Sequence, residues 1–263
     1  MKHFITSLAI VILASLSLNA QQYCGMTGLI NVPTAEMDSA GQARIGVHYL
    51  NGHMTPDSRS WYDGDKKYNT GDMYLSITPF RWMEIGYVMT LFKISETDYP
   101  NDKPGYNRKD RYFTLKFTPL HEDKWWPSVS IGANDFLSTG FLRHNNSLES
   151  TSNTNNSFFR TYYLALTKGF DFNSNRVAAT LVYRRYSADY NHRWQGLVGG
   201  VSYTPWFVKG GYTLSDMRIM AEWDGCEINL GADCVLWRHL MLQVSLQDFR
   251  YVSAGICYTV NLF

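Results

Sequence analysis

The sequence predicts an all-β protein, an antiparallel transmembrane β-barrel of about twelve strands after a cleaved signal peptide. Three observations carry that expectation. Apolar residues recur with a period of two along most of the chain, and no stretch of comparable length has a helical period. Aromatic residues make up 15% of the 263 residues, with 8 Trp, 18 Tyr and 14 Phe, while mean hydropathy is only -0.26. Short connections carrying tryptophan alternate with long polar loops, as in outer-membrane barrels.

Composition removes several other classes. With 45% hydrophobic residues, 18% charged and a net charge of +1, the chain is neither a disordered tail nor a basic nucleic-acid binder. Helical membrane proteins need about 20 consecutive apolar residues per span, and only the N-terminus offers a candidate. There, residues 1–20 combine a basic start (Lys2, His3), an apolar stretch and Ala20 at the cleavage position, which reads as a secretory signal. Thr6, Ser7, Ser15 and Ser17 interrupt the stretch and argue against a membrane anchor. Gln21, Gln22 and Tyr23 before Cys24 do not fit a lipoprotein site. Removal of the signal takes away Lys2 and no acid, leaving a formally neutral chain. The division that follows is a signal peptide at 1–20, a Gly-rich periplasmic or plug segment at 21–41, and a barrel at 42–263. Cys24, Cys226, Cys234 and Cys257 have no metal or redox spacing. Cys226 and Cys234, eight residues apart on one expected strand, lie too far from each other to bridge.

The alternation defines the strands in order. Ala43, Ile45, Val47 and Tyr49 oppose Gln42, Arg44, Gly46 and His48; Leu75 and Ile77 oppose Tyr74, Ser76 and Thr78. The same pattern returns around Ile85, Leu115, Ile131, Leu164, Leu181, Val201, Ile219, Leu230, Val244 and Ile256. Residues 207–215 could hold one more strand, but bacterial barrels have even strand numbers, so this stretch is assigned to a periplasmic connection. Asp224-Gly225 then marks a tight extracellular hairpin. A soluble sandwich would also alternate, yet nothing in it compels tryptophan to strand ends. Trp82, Trp125, Trp126, Trp206 and Trp237 all fall at the short-turn side, where a membrane-interface girdle belongs, and Trp61, Trp194 and Trp223 fall at or beyond the opposite ends.

The polar face gives the candidate lumen residues: Arg44, Tyr74, Glu84, Tyr112, Lys116, Arg184, Arg218, Glu222, Glu227 and Asp233. A barrel of about a dozen strands lies between the filled cases of roughly 8 and the open porins of roughly 16 or more. Mixed charge with tyrosines suits carbohydrate passage and equally suits a closed polar network. Catalysis would need a base beside a nucleophile. Only His48 among the histidines sits on a polar strand face, and Glu222 and Glu227 could pair across the Asp224-Gly225 hairpin, but such groups more often pair with arginine or lysine. No phosphate loop or zinc spacing is present, Asp63-Gly64-Asp65 is too short for a calcium loop, and no catalytic residue, metal or cofactor is assigned.

Two stretches resemble a known family. Gly25-Met26-Thr27-Gly28-Leu29-Ile30-Asn31-Val32-Pro33-Thr34-Ala35, followed by Gly41, is similar to the opening of the YjbH-like outer-membrane proteins. Pro127-Ser128-Val129-Ser130-Ile131-Gly132-Ala133-Asn134-Asp135-Phe136, then Thr139-Gly140, resembles an internal strand of theirs. Ala221-Glu222-Trp223-Asp224-Gly225 leading to Asn229-Leu230-Gly231-Ala232 is a weaker third match. The resemblance implies a barrel in the outer membrane of a Gram-negative bacterium, encoded with genes for exopolysaccharide or capsule production, without a catalytic motif. Its implied partners are outer-membrane lipid, polysaccharide and other export or biosynthesis proteins. The alternatives are a small porin or structural protein with no polysaccharide role and, third, a lipid-modifying enzyme using His48 or Glu222.

Overall fold

An open sheet in lipid would leave a row of unpaired N–H and C=O groups at each edge, so a membrane-crossing sheet must close on itself. In the computed structural model, which describes residues 19–58, 61–63, 66–94, 105–138, 157–208 and 211–263, it does. The strands are β1 (Gln42–Leu50), β2 (Tyr62–Asp63), β3 (Lys66–Lys67), β4 (Thr70–Phe80), β5 (Met83–Ile94), β6 (Gly105–Leu120), β7 (Ser128–Ser138), β8 (Thr161–Phe172), β9 (Asn175–Tyr186), β10 (Gly196–Thr204), β11 (Leu214–Trp223), β12 (Ile228–Leu236), β13 (Leu240–Gln247) and β14 (Tyr251–Asn261). β2 and β3 form a small separate sheet in the first long loop; the other twelve form a closed antiparallel barrel in which β1 pairs with β14. Residues 1–18 of the expected signal peptide (1–20), Thr139-Gly140, and most of the second and third long loops lie outside the described residues.

Each wall strand presents two faces. On β1, Ile45, Val47 and Tyr49 are exposed outward while Arg44, His48 and Leu50 are buried inward. On the paired β8 and β9, Leu164, Leu166, Leu181 and Tyr183 face out, and Ala165, Thr167, Val182 and Arg184 face in. An apolar belt left bare around a closed ladder decides between the sandwich and the barrel, because a sandwich would bury it against a second sheet. β7 breaks the alternation once: Asp135 has φ 52, and both it and Asn134 are buried. The ladder to β6 shifts register there.

The connections follow the same logic. Residues 207–215 hold no complete strand among those described; the 3-10 turn Trp206–Val208 comes first and β11 begins at Leu214. In the hairpin between β11 and β12, the Asp224 carboxylate accepts N–H bonds from Cys226 (3.1 Å) and Glu227 (2.9 Å), and Gly225 takes φ 98. Cys226 therefore lies in this turn and not on the strand with Cys234, and all four cysteines are free.

Of the eight tryptophans, Trp82, Trp125, Trp126, Trp206 and Trp237 are exposed at the short-turn end, with Trp82 stacked on Phe80 at 5.2 Å. Trp223 is exposed at the other end. Trp61 and Trp194 are buried instead, because the long-loop end folds inward over the barrel.

The seam between β1 and β14 places the His48 ring over Gly255, where an added Cβ would come within 1.8 Å of the ring. We expect Gly255→Val to cost about 1–3 kcal/mol through overpacking. The compact, unheated gel band should be lost at lower temperature, while Gly71→Ala, whose nearest contact would be an ordinary 3.6 Å, leaves it unchanged.

Candidate functional site

The polar inner wall faces the chain's own N-terminal segment. Residues 19–41 form almost no regular structure, only isolated bridges between Gln21 and Thr27 and between Gly28 and Pro33, so most of their backbone groups need partners from elsewhere. Those partners come from strands all around the barrel, which places the segment inside it.

Glu222 on β11 makes the densest contact. Its carboxylate accepts the successive backbone N–H groups of Ile30 (3.0 Å), Asn31 (2.9 Å) and Val32 (3.0 Å), and the side-chain amide of Asn229 (3.1 Å). Three consecutive N–H groups aimed at one anion form a backbone nest, here closed on a carboxylate of the wall. Opposite, Glu84 on β5 accepts from the backbone N–H (3.0 Å) and hydroxyl (2.7 Å) of Thr27. Lys116 on β6 donates to the Thr27 hydroxyl and to Glu36 O (2.5 Å), and sits 3.5 Å from Glu84. Arg184 on β9 donates to Asn31 O (3.1 Å), Trp194 O (2.6 Å) and Asp224 O (2.8 Å), binding the segment to two loops at once. Arg44 on β1 pairs with Asp38 at 2.5 Å, and Tyr74 on β4 donates to Gln21 at 2.7 Å. On β13, Gln243 donates to Gln21 O at 2.8 Å.

Apolar packing completes the fit. Tyr23, Cys24, Met26 and Ile30 join Leu50, Val88, Phe92, Tyr112, Val235 and Met241 in one buried cluster, and each fully buried aliphatic side chain contributes roughly 1.5–3 kcal/mol. Gly25 is required at its place: it has φ 80, and a Cβ there would lie 2.2 Å from the Tyr74 ring.

The long-loop end closes over this filling. Trp61 packs against Phe92 (4.9 Å), Phe158 (5.8 Å) and Phe159 (6.2 Å). His53 meets Glu227 at 2.5 Å, and Arg193 donates to His53 O at 2.6 Å and pairs with Asp57 at 3.1 Å. Burial works against the charge on Asp57, yet the Lys67 hydrogen bond and the Arg193 charge hold its carboxyl below the usual range. Burial also pushes Lys67 down to about 8.

Among the lumen candidates, Arg44, Tyr74, Glu84, Tyr112, Lys116, Arg184, Arg218, Glu222 and Asp233 are buried within the barrel. Arg218 and Asp233 face each other across β11 and β12 at 3.5 Å. Glu227 departs from the group. The Asp224 side chain takes its backbone N–H into the turn before β12, so Glu227 precedes the strand and its carboxylate meets His53. Glu222 and Glu227, which the sequence offered as a conceivable pair, thus take different partners, the first the segment and the second His53. His48 is buried, its ring nitrogens 3.0 Å from Tyr23 O and 2.8 Å from Gln243 Oε1. Among the described residues no group of His, Cys, Asp or Glu is arranged to hold a metal.

Sequence reasoning passed over several residues that build this interior. Asn229 and Gln243 stood on the polar phase of their strands without a recognised role. Asp72 and Asp110, both buried, lie just before the first residues of the strands as read from alternation, because β4 and β6 extend beyond Tyr74 and Tyr112. Asp38, Thr27 and Asn31 belong to an irregular segment in which no periodicity marks an inward face.

No curated protein matches the chain. Among solved structures it is similar to an outer membrane channel from Pseudomonas putida F1, with 12% identity and a TM-score of 0.42 over 88% of this chain and 98% of that one. It is also similar to outer membrane phospholipase A from Escherichia coli, with 12% identity and a TM-score of 0.35 over 86% of this chain and 98% of that one. The YjbH family, described as "Exopolysaccharide biosynthesis protein YbjH", matches residues 20–262. That span takes in the interior segment and the whole wall around it, and the chain belongs to this family.

Proposed function

We propose that this protein serves exopolysaccharide biosynthesis or export as a non-enzymatic outer-membrane barrel whose lumen is held closed by its own residues 21–41. Family membership over residues 20–262 carries the link to polysaccharide. The closed ladder and the bare apolar belt make the wall a transmembrane barrel of the outer-membrane kind.

The filled lumen favours this reading over a porin that conducts at rest. Any passage for a sugar chain requires the segment to leave Glu222, Glu84, Lys116 and Arg184, the charged groups that would then line the path. A wall of mixed charge with Tyr74 and Tyr112 offers hydrogen bonds and ring faces to a polar polymer. The polymer, the proteins that make or move it, and the surrounding lipid are the partners of this reading. Against a lipid-modifying enzyme stands the placement of its two candidate residues. His48 and Glu222 are both buried inside and bonded to the segment, whereas a lipid substrate lies outside the wall.

The reading is tested in a deletion strain scored for surface polysaccharide. Reduced quantity or altered chain length is expected, and unchanged polysaccharide would favour the porin alternative. For the seal, Glu222→Ala leaves three N–H groups without their acceptor, at a cost of about 3 kcal/mol. Liposomes carrying this variant should swell faster in small sugars than those with the unaltered protein. Swelling from neither a variant lacking residues 25–40 nor the intact chain would remove conduction from the proposal.

A further inference from the structure

The outer surface carries a polar cleft that the lumen reading leaves unused. On the outward face, cross-strand neighbours Tyr162 and Arg185 stand at the long-loop ends of β8 and β9. With Tyr186, Ser187, His192 and Gln195 they enclose a cleft of about 340 Å³. Directly below in register come Leu164 opposite Tyr183 and Leu166 opposite Leu181, all exposed. A lipid-facing side chain at this height meets headgroups, with hydrocarbon beneath it.

On the described wall strands, the outward charge near this rim has one sign. In the long-loop half of the described strands, the charged side chains on the outward face are Lys93, Lys109, Arg111 and Arg185, with no carboxylate among them. All four lie on the β5–β9 side of the barrel; the outward faces of β10 to β14 and β1 carry Leu197, Trp223, Ile228, Val252 and Tyr49 near the same rim. A random scatter of solubilising charge would include both signs and all sides. A one-sided cationic rim above an apolar wall fits an anionic headgroup in the outer leaflet.

We propose that the Tyr162–Arg185 cleft binds the phosphate-bearing sugar headgroup of an outer-leaflet glycolipid. The Arg185 guanidinium takes the phosphate, the exposed Tyr162 ring takes a sugar face, Ser187 and Gln195 offer hydrogen bonds to hydroxyls, and the acyl chains run down Leu164, Tyr183, Leu166 and Leu181. The site is independent of the lumen and of any role in polysaccharide production.

The test uses the full protein in phosphatidylcholine vesicles doped with bis-phosphorylated lipid A or with its dephosphorylated form, followed by native mass spectrometry of retained lipid. The intact protein should retain the phosphorylated lipid, and Arg185→Gln should lower that retention roughly tenfold, the size of one lost charge-assisted hydrogen bond. Arg250→Gln, at the same end in the turn before β14, should leave it unchanged. The heat-modifiable gel band confirms that each variant is folded. Equal retention by Arg185→Gln, or equal retention of the dephosphorylated lipid, overturns the proposal. Release of the lipid by excess inorganic phosphate overturns it too, by making the cleft a site for soluble anions.

Discussion

Buried charge needs compensation, and in this barrel the compensating groups are largely backbone. Glu222 illustrates the rule: a carboxylate closed off from water would be costly, and three successive N–H groups of an irregular segment satisfy it. The requirement is mutual. A segment without helix or ladder leaves its peptide groups unpaired, and only a polar wall can receive it. Lys116 shows the complementary case, a buried ammonium whose acceptors include two oxygens of the segment besides the Glu84 carboxylate. At Glu222, Glu84, Lys116 and Arg184 the polarity of the inner wall is thus answered by the segment itself.

Much of the wall was legible because alternation is a direct consequence of having lipid on one side and polar contents on the other. Arg44, Glu84, Lys116 and Glu222 declare their side by phase alone. Glu227 shares that phase, but the Asp224 side chain holds its backbone N–H in the turn before β12, and its carboxylate meets the loop residue His53 instead of the segment. What the interior segment touches was not legible. Its contacts with Glu222 span 190 to 192 positions in sequence, and no local pattern encodes them. Even so, the residues that carried the family resemblance turn out to be neighbours in space. Ile30 and Asn31 of the first stretch lie on Glu222, which Asn229 of the third also bonds, and a Cβ on Gly231 would come within 2.9 Å of Ile30.

Tryptophan carries two jobs that composition could not separate. At the short-turn end the rings stay outside, where an amphipathic side chain suits the boundary between headgroup and hydrocarbon. At the other end, Trp61 and Trp194 turn inward and cover the mouth with phenylalanines, while Arg193 and His53 tie the covering loops to one another and to the β11–β12 turn. The mouth is therefore shut by loop packing as well as by the segment below it.

The seam between β1 and β14 fixes the order in which all this can come together. Residue 41 leads straight from the interior segment into β1, and its backbone bonds both to Thr78 and to Leu262, the latter at 2.8 Å. The first wall strand thus waits for the last, and their pairing is among the most distant in the chain, the kind of contact that forms slowly. Until it forms, the sheet is an open trough into which the N-terminal segment can be laid. Once it forms, the contents are enclosed, so the segment has to be in place by the time the barrel closes.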